Sequence, residues 1–211
     1  MKSLQANKVV VFDLDGVIID SLIAFWKVEN CLFKKLGRKG ITLLEYQKAF
    51  LNNPWQSLFK MGKFDKKEQK QLIQMTGPFT KKHYKKVKLH SGIKKVIIKL
   101  AKSHKLVIIS STPEKSIDFV LKKYKIRKYF KKFYGAEAGI KKIVKFRKCQ
   151  RDFGKNLIFI TDSVGDIKEA KQMKIPTIGV GWGYQPSSWI KKAKPTYFAK
   201  NSEKIIKILS G

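Results

Sequence analysis

Residues 9–21 read Val-Val-Val-Phe-Asp-Leu-Asp-Gly-Val-Ile-Ile-Asp-Ser. The apolar run Val9–Phe12 has the length and β-branched content of a buried parallel strand. Two carboxylates, Asp13 and Asp15, stand at its end, and Gly16 lets the backbone turn closely past whatever they hold. Carboxylates at the mouth of an apolar strand need a counter-charge. In an open α/β sheet, ligands bind off the carboxyl ends of the strands. A metal ion is the simplest partner there; an ordinary turn with Asx hydrogen bonds is the plainer alternative.

Two more strand ends repeat the pattern. Leu157–Ile160 is apolar and runs into Thr161-Asp162-Ser163-Val164-Gly165-Asp166. Two carboxylate pairs, each behind an apolar run, form the hard oxygen site that Mg²⁺ prefers. Leu106–Ile109 ends in Ser110-Ser111-Thr112-Pro113. A hydroxyl at a strand tip donates to a phosphate oxygen, and the next helix start adds free backbone amides. Thr112 before Pro113 reads as a helix start in its own right.

The stretch Asp13-Leu14-Asp15-Gly16-Val17-Ile18-Ile19-Asp20-Ser21 resembles the first motif of the haloacid dehalogenase-like (HAD) superfamily, in its phosphatase form. The resemblance spans nearly the whole chain and is nearest to the phosphoglycolate phosphatase-like group. It implies a three-layer Rossmann-like core with a parallel sheet and a small all-helical cap domain. It implies Asp13 as nucleophile and Asp15 as general acid and base, with Gly16 beside them. Ser110 matches the residue that binds the transferring phosphoryl group, and Ser111 follows it at a substrate-contacting position. The family's lysine falls in Gly139-Ile140-Lys141-Lys142, where Lys142 is favoured and Lys141 is the rival; the common Lys-Pro pair is absent. Asp162 then binds Mg²⁺ directly, with Asp13 and the Asp15 carbonyl, and Asp166 binds it through water or holds the lysine. Thr161 replaces the usual glycine before Asp162.

Between Ser21 and residue 89 the period changes from strand to helix. Leu22, Phe25, Trp26, Leu32, Phe33 and Leu36 recur at helical spacing, and Gly37 stops the helix. Thr42 with Glu45 and Asp65 with Glu68 read as capping boxes, and Asn53-Pro54 as a cap before a first-turn proline. Gly77-Pro78 reads as a break before a short basic helix over 79–86. The expected domains are a core of residues 1–21 and 89–211 and an inserted cap of residues 22–88. Trp26, Phe33, Trp55, Phe59 and Phe64 read as cap core. In the later part, Ser202 reads as the cap of the terminal helix, and Trp182 as either an entrance wall or an anchor.

With 211 residues, 43% of them hydrophobic, and 14 Phe and 4 Trp, the chain supports a real core and excludes disorder. The net charge is +32, from 47 basic and 15 acidic residues. Such a field admits nucleic acid as a partner. The excess is spread along the chain, though, and is mostly lysine, so a small phosphorylated metabolite is the favoured partner. Cys31 and Cys149 form no CxxC, which points away from a redox or thiolate site. No run long enough to span a membrane occurs, and no leader is seen, so a cytoplasmic location is expected. Oligomeric state is left open.

The expected activity is Mg²⁺-dependent hydrolysis of a small phosphomonoester, phosphoglycolate-like or a sugar phosphate, through an aspartyl-phosphate. A second Asp in the acid–base position fits a phosphatase and fits a dehalogenase poorly. The alternatives are a sugar phosphomutase, a nucleotide or nucleic-acid end phosphatase of the same fold, and a non-catalytic nucleic-acid-binding or scaffold protein.

Overall fold

The computed structural model describes residues 8–210, the side chains of residues 77–82 excepted. The core is a six-stranded parallel sheet. In chain order its strands are β1 (Val9–Phe12), β4 (Lys105–Ile109), β5 (Phe130–Tyr134), β6 (Leu157–Thr161), β7 (Thr177–Val180) and β8 (Tyr197–Ala199). In space they lie β5-β4-β1-β6-β7-β8, so the strand that carries Asp13 and Asp15 runs through the middle. A two-stranded antiparallel ribbon, β2 (Ile19–Asp20) and β3 (Lys88–Leu89), stands apart from that sheet.

Helices cover both faces because the central strands are apolar on both sides. Val10 and Phe12 point into a core closed by α5 (Ile93–Leu100), α6 (Glu114–Lys123) and α10 (Ser202–Leu209). Val9 and Val11 point the other way, to α7 (Lys142–Phe153) and α8 (Val164–Gln172). A shorter helix, α9 (Ser187–Lys192), packs Ile190 against Val164 and Ile167 of α8. The alternation along a four-residue strand thus sorts the chain into three layers.

Register brings the polar strand ends together. Phe12 pairs with Ile108 on one side and Ile160 on the other. Asp13, Ser110 and Asp162, each just past its strand, therefore emerge along one edge.

The helical cap comprises α1 (Leu22–Lys35), α2 (Leu43–Ala49), α3 (Pro54–Gly62) and α4 (Lys66–Tyr84). Both capping boxes form, at Thr42 and at Asp65, and Asn53 caps α3. Phe33 and Phe64 are buried together, ring centroids 4.9 Å apart. The chain leaves the core after β2 and returns through β3, so the two crossings are hydrogen-bonded neighbours. Two-residue strands are too short for a sequence pattern to show.

Two expectations fail here. The helix α4 runs unbroken through Gly77-Pro78. Packing along α1, with Leu72 and Tyr84 buried to either side of the dipeptide, outweighs the backbone hydrogen bond a proline forfeits. The helical spacing of Lys81, Lys82, Lys85 and Lys86 suits an exposed face; the side chains of Lys81 and Lys82 lie outside the described residues, and Lys85 and Lys86 are exposed. Ser202 is not the cap of α10 but its first residue; Asn201 caps it, accepting from Lys204 N at 3.1 Å. Lys63, Lys125, Lys174 and Lys194 have positive φ, between 50° and 58°, each at or just past a helix end.

Phe12 is fully buried and meets Phe130 edge-on at 5.9 Å. Phe12→Ala should lower the unfolding free energy by about 3–5 kcal/mol, read from a denaturant titration.

Candidate active site

Asp13 begins where β1 ends, its N–H still donating to Ile160 O at 2.9 Å. Its Oδ1 accepts from Leu14 N at 2.8 Å, and its Oδ2 meets Lys142 Nζ at 2.5 Å. Lys142, the first residue of α7, also reaches Asp166 Oδ2 at 2.6 Å. Of the two candidate lysines, Lys142 is buried among the carboxylates, and Lys141 is exposed. Burial pulls the Lys142 ammonium down, but Asp13 and Asp166 together raise it above the ordinary lysine range. Burial also pushes Asp13 well up, against the pull of Lys142. Asp13 and Asp166 thus share the one Lys142 ammonium, which both carboxylates hold in its charged form.

Asp166 is held by a second donor, the Thr161 hydroxyl, at 2.9 Å. The threonine before Asp162 thus serves the second acid, five residues on. Asp162 is nearly inaccessible and accepts from Tyr184 N at 2.6 Å. Burial pushes its carboxyl up to about 7, Asp166 adding to the effect and the Tyr184 amide opposing it. Gly16, at φ +76°, lies against Asp162: a Cβ there would come within 1.9 Å of Asp162 Oδ2. A Cβ at Gly183 would likewise come within 2.2 Å of the Asp162 Cβ.

Asp15 has a separate environment. The Thr112 hydroxyl donates to its Oδ2 at 2.6 Å, the Ser21 hydroxyl to its Oδ1 at 2.7 Å, and the Tyr84 hydroxyl to Oδ2 at 3.3 Å. Burial raises Asp15; the three hydroxyls pull against it without cancelling it. Tyr84 comes from α4 of the cap and also meets Thr112 at 2.9 Å. Reading Thr112 as a helix cap is therefore wrong: α6 has no side-chain cap, and the Thr112 hydroxyl is committed to Asp15. Ser110 is buried, its Oγ accepting from Thr112 N at 3.1 Å, and Ser111 beside it is partly exposed.

The cap is docked on this edge through backbone carbonyls. Phe50 O accepts from Gly165 N at 2.9 Å and Ser163 Oγ at 3.0 Å. Gln47 and Gln185 exchange side-chain-to-backbone bonds across the seam, Gln47 to Tyr184 O at 2.7 Å and Gln185 to Gln47 O at 2.9 Å. Trp182 is an anchor: its indole N–H donates to Val17 O at 3.3 Å. The open surface depressions lined by Arg38, Lys39 and Lys63, and by Lys191, Lys200 and Lys204, lie away from Asp13.

Sequence reasoning passed over Lys145. It is fully buried, and its ammonium donates to the Ser110 carbonyl. Burial and then Lys142 lower it to about 8. A signal existed: Lys142, Lys145, Phe146 and Cys149 form the buried face of α7 at helical spacing.

The donors at these strand ends are oxygens: two carboxylates that burial pushes toward protonation, and the backbone of Asp15. That set fits a hard divalent cation such as Mg²⁺, which reverses the burial cost. Among the described residues no three His, Cys, Asp or Glu side chains converge closely enough to hold a metal by themselves. Also among them, no helix is long and apolar enough to cross a membrane, and both cysteines are free.

The profile of the haloacid dehalogenase-like hydrolases matches residues 10–180. The chain belongs to this family. This HAD chain is 24% identical, over 96% of its length and 94% of the relative's, to a protein of Caldanaerobacter subterraneus provisionally named a pyrophosphatase, PpaX. It is 22% identical to a phosphoglycolate phosphatase of Pseudomonas savastanoi, over 94% of this chain and 78% of the other. The solved HAD-like hydrolase SP0104 of Streptococcus pneumoniae superposes with a TM-score of 0.82 at 20% identity, covering 95% of this chain and 97% of that one. The parallel core with a helical cap and the phosphoglycolate phosphatase-like branch agree with the reading of the sequence, as does a HAD-type phosphoric monoester hydrolase.

One further carboxyl stands in the cap. Glu29 on α1 is 5% exposed, and its Oε2 has no hydrogen-bond partner among the described residues. Burial pushes it from an ordinary 4.5 to about 7. Between those values the native state binds more protons than the unfolded chain, so this group lowers stability as pH rises. Glu29→Gln should abolish that slope: its stability relative to wild type should improve by on the order of 3 kcal/mol between pH 4 and pH 8, measured by denaturant titrations at the two pH values.

Proposed function

We propose that the chain is a Mg²⁺-dependent phosphatase acting on a small phosphomonoester, a sugar phosphate or phosphoglycolate-like ester, within a core of residues 1–21 and 89–211 under a cap of residues 22–88. The observation that carries this reading is the different setting of two carboxyls at one strand end: Asp13 is held by the Lys142 ammonium, and Asp15, two residues on, is caged by three hydroxyls. A nucleophile needs to be charged and a leaving alkoxide needs a proton, and here neighbouring carboxyls are prepared for the two tasks.

Asp13 attacks phosphorus, and the bond from phosphorus to the leaving oxygen breaks. Asp15 gives its proton to that oxygen and departs as a carboxylate, which the Thr112, Ser21 and Tyr84 hydroxyls stabilise. The same carboxylate then takes a proton from water, whose oxygen attacks the aspartyl-phosphate. Asp13 is released, phosphate leaves, and Asp15 is protonated again. Lys142 and Ser110 hold the phosphoryl oxygens, Ser111 stands at the substrate side, and Lys145 fixes the Ser110 backbone. Mg²⁺, held by Asp13, the Asp15 carbonyl and Asp162, with Asp166 acting through Lys142 or water, supplies neutralisation of the phosphoryl charge. Docking of the cap keeps bulk water away from the intermediate. A cap closed over Asp13 gives no support to a long nucleic-acid end as substrate.

The test is phosphate release from p-nitrophenyl phosphate, with pyrophosphate, sugar phosphates and phosphoglycolate alongside. Turnover should require Mg²⁺, stop on chelation and vanish in Asp13→Asn; full metal-dependent turnover in that variant would overturn the nucleophile assignment. Thr112→Val removes the shortest donor to Asp15 and should lower kcat by roughly 10- to 100-fold with a smaller change in KM, read by steady-state kinetics.

A further inference from the structure

Glu29 is a buried carboxyl with no structural task. Its neighbours on the inner face of α1 are Phe25 one turn back and Leu32 and Phe33 one turn on, all buried. A cap core tolerates an unpartnered carboxyl there poorly. The chain holds 47 basic residues, yet among the described residues no ion pair offsets it, and burial is what shifts the group.

Its position relates it to the reaction. Ser21, which donates to Asp15, stands at the N-terminal end of α1, and Phe25 and Glu29 follow it at successive turns. Phe25 packs edge-on against Tyr84, centroids 5.0 Å apart, and Tyr84 also donates to Asp15. Side chains on a helix lean toward its N-terminus, so Glu29 leans from about 12 Å up the axis back toward Asp15. Tyr46 of α2 is buried in the same core cluster as Phe25 and Tyr84. Tyr46 reaches the core loop, its ring 6.2 Å from that of Tyr184. The cap wall from Asp15 to Glu29 is thus Phe25, Tyr46 and Tyr84, with a carboxyl at its far end.

Resting on the phosphatase reading above, we propose that Glu29 is the specificity residue of the cap: it accepts a hydrogen bond from an O–H or N–H donor on the leaving alcohol and rejects leaving alcohols that carry a carboxylate. A donor supplies the partner that Glu29 lacks. A carboxylate would face a second buried carboxyl, with no cation among the described residues to offset the pair. The substrate is then a phosphomonoester of a polyol or an amino alcohol, and phosphoglycolate is disfavoured.

The test compares four esters of similar size: glycerol phosphate (hydroxyl), phosphoethanolamine (ammonium), ethyl phosphate (neither) and phosphoglycolate (carboxylate). Values of kcat/KM are taken for wild type, Glu29→Gln and Glu29→Leu. Binding of the same esters to Asp13→Asn, with and without Glu29→Leu, is read by calorimetry. At least one donor-bearing ester should exceed ethyl phosphate tenfold or more in wild type, with phosphoglycolate last. Glu29→Leu should bring the donor-to-ethyl ratio near one and raise phosphoglycolate relative to both. The two donor arms tell hydroxyl from ammonium. A ratio unchanged in Glu29→Leu, or phosphoglycolate as the best wild-type substrate, overturns the proposal while leaving the phosphatase intact. No turnover, with donor-selective binding that Glu29→Leu abolishes, overturns the phosphatase reading and retains Glu29; absence of both turnover and donor-selective binding overturns the two together.

Discussion

The arrangement depends on one buried ammonium. Lys142 lies between Asp13 and Asp166 at 2.5 and 2.6 Å, where its charge offsets two carboxylates that the apolar strand ends could not otherwise hold. Removing one partner from such a cluster leaves an uncompensated buried charge, which costs far more than the intact cluster contributes. Three strands converge on this cation through their register, and α7 begins with it. The sheet therefore needs Lys142 for its own polar edge before any substrate arrives.

The cap is tied to the same edge by a different kind of contact. Phe50, Gln47 and Tyr184 meet across the seam mainly through backbone carbonyls and amides. Such bonds are indifferent to the substrate, so they set where the cap rests and leave selection to the side chains within. Among the described residues, the cap's direct link to Asp15 is Tyr84, which shares that carboxyl with Thr112 of the core. Docking of the cap therefore completes the hydroxyl cage around Asp15.

The strands and the three polar strand ends were legible because apolar runs followed by Asp, Ser or Asp are local patterns, and a parallel sheet needs little else to bring them together. The capping boxes at Thr42 and Asp65 were legible for the same reason. What escaped depends on contacts between distant residues. Thr112 has the sequence context of a cap, and only the arrival of Asp15, 97 positions away, shows its use. Tyr84 and Tyr184 are ordinary aromatics until the cap docks. Gly77-Pro78 carries a strong local signal that packing along α1 overrides. Glu29 and Lys145 sit at core positions of readable helices, and their charge is what a periodicity search discounts.

The lysines at positive φ bear on the meaning of the +32 charge. Lys63, Lys125, Lys174 and Lys194 occupy helix-end conformations in which glycine is relaxed and a residue with a Cβ carries a strain of about 1–2 kcal/mol. A cation there also faces the negative end of the helix dipole, a gain of about 0.3–1 kcal/mol, so the strain is only partly recovered. These charges belong to four turns scattered over the cap and the core, and they serve as endings for helices. Part of the chain's positive field is therefore a by-product of how its helices stop, and its strength says correspondingly less about what the protein holds.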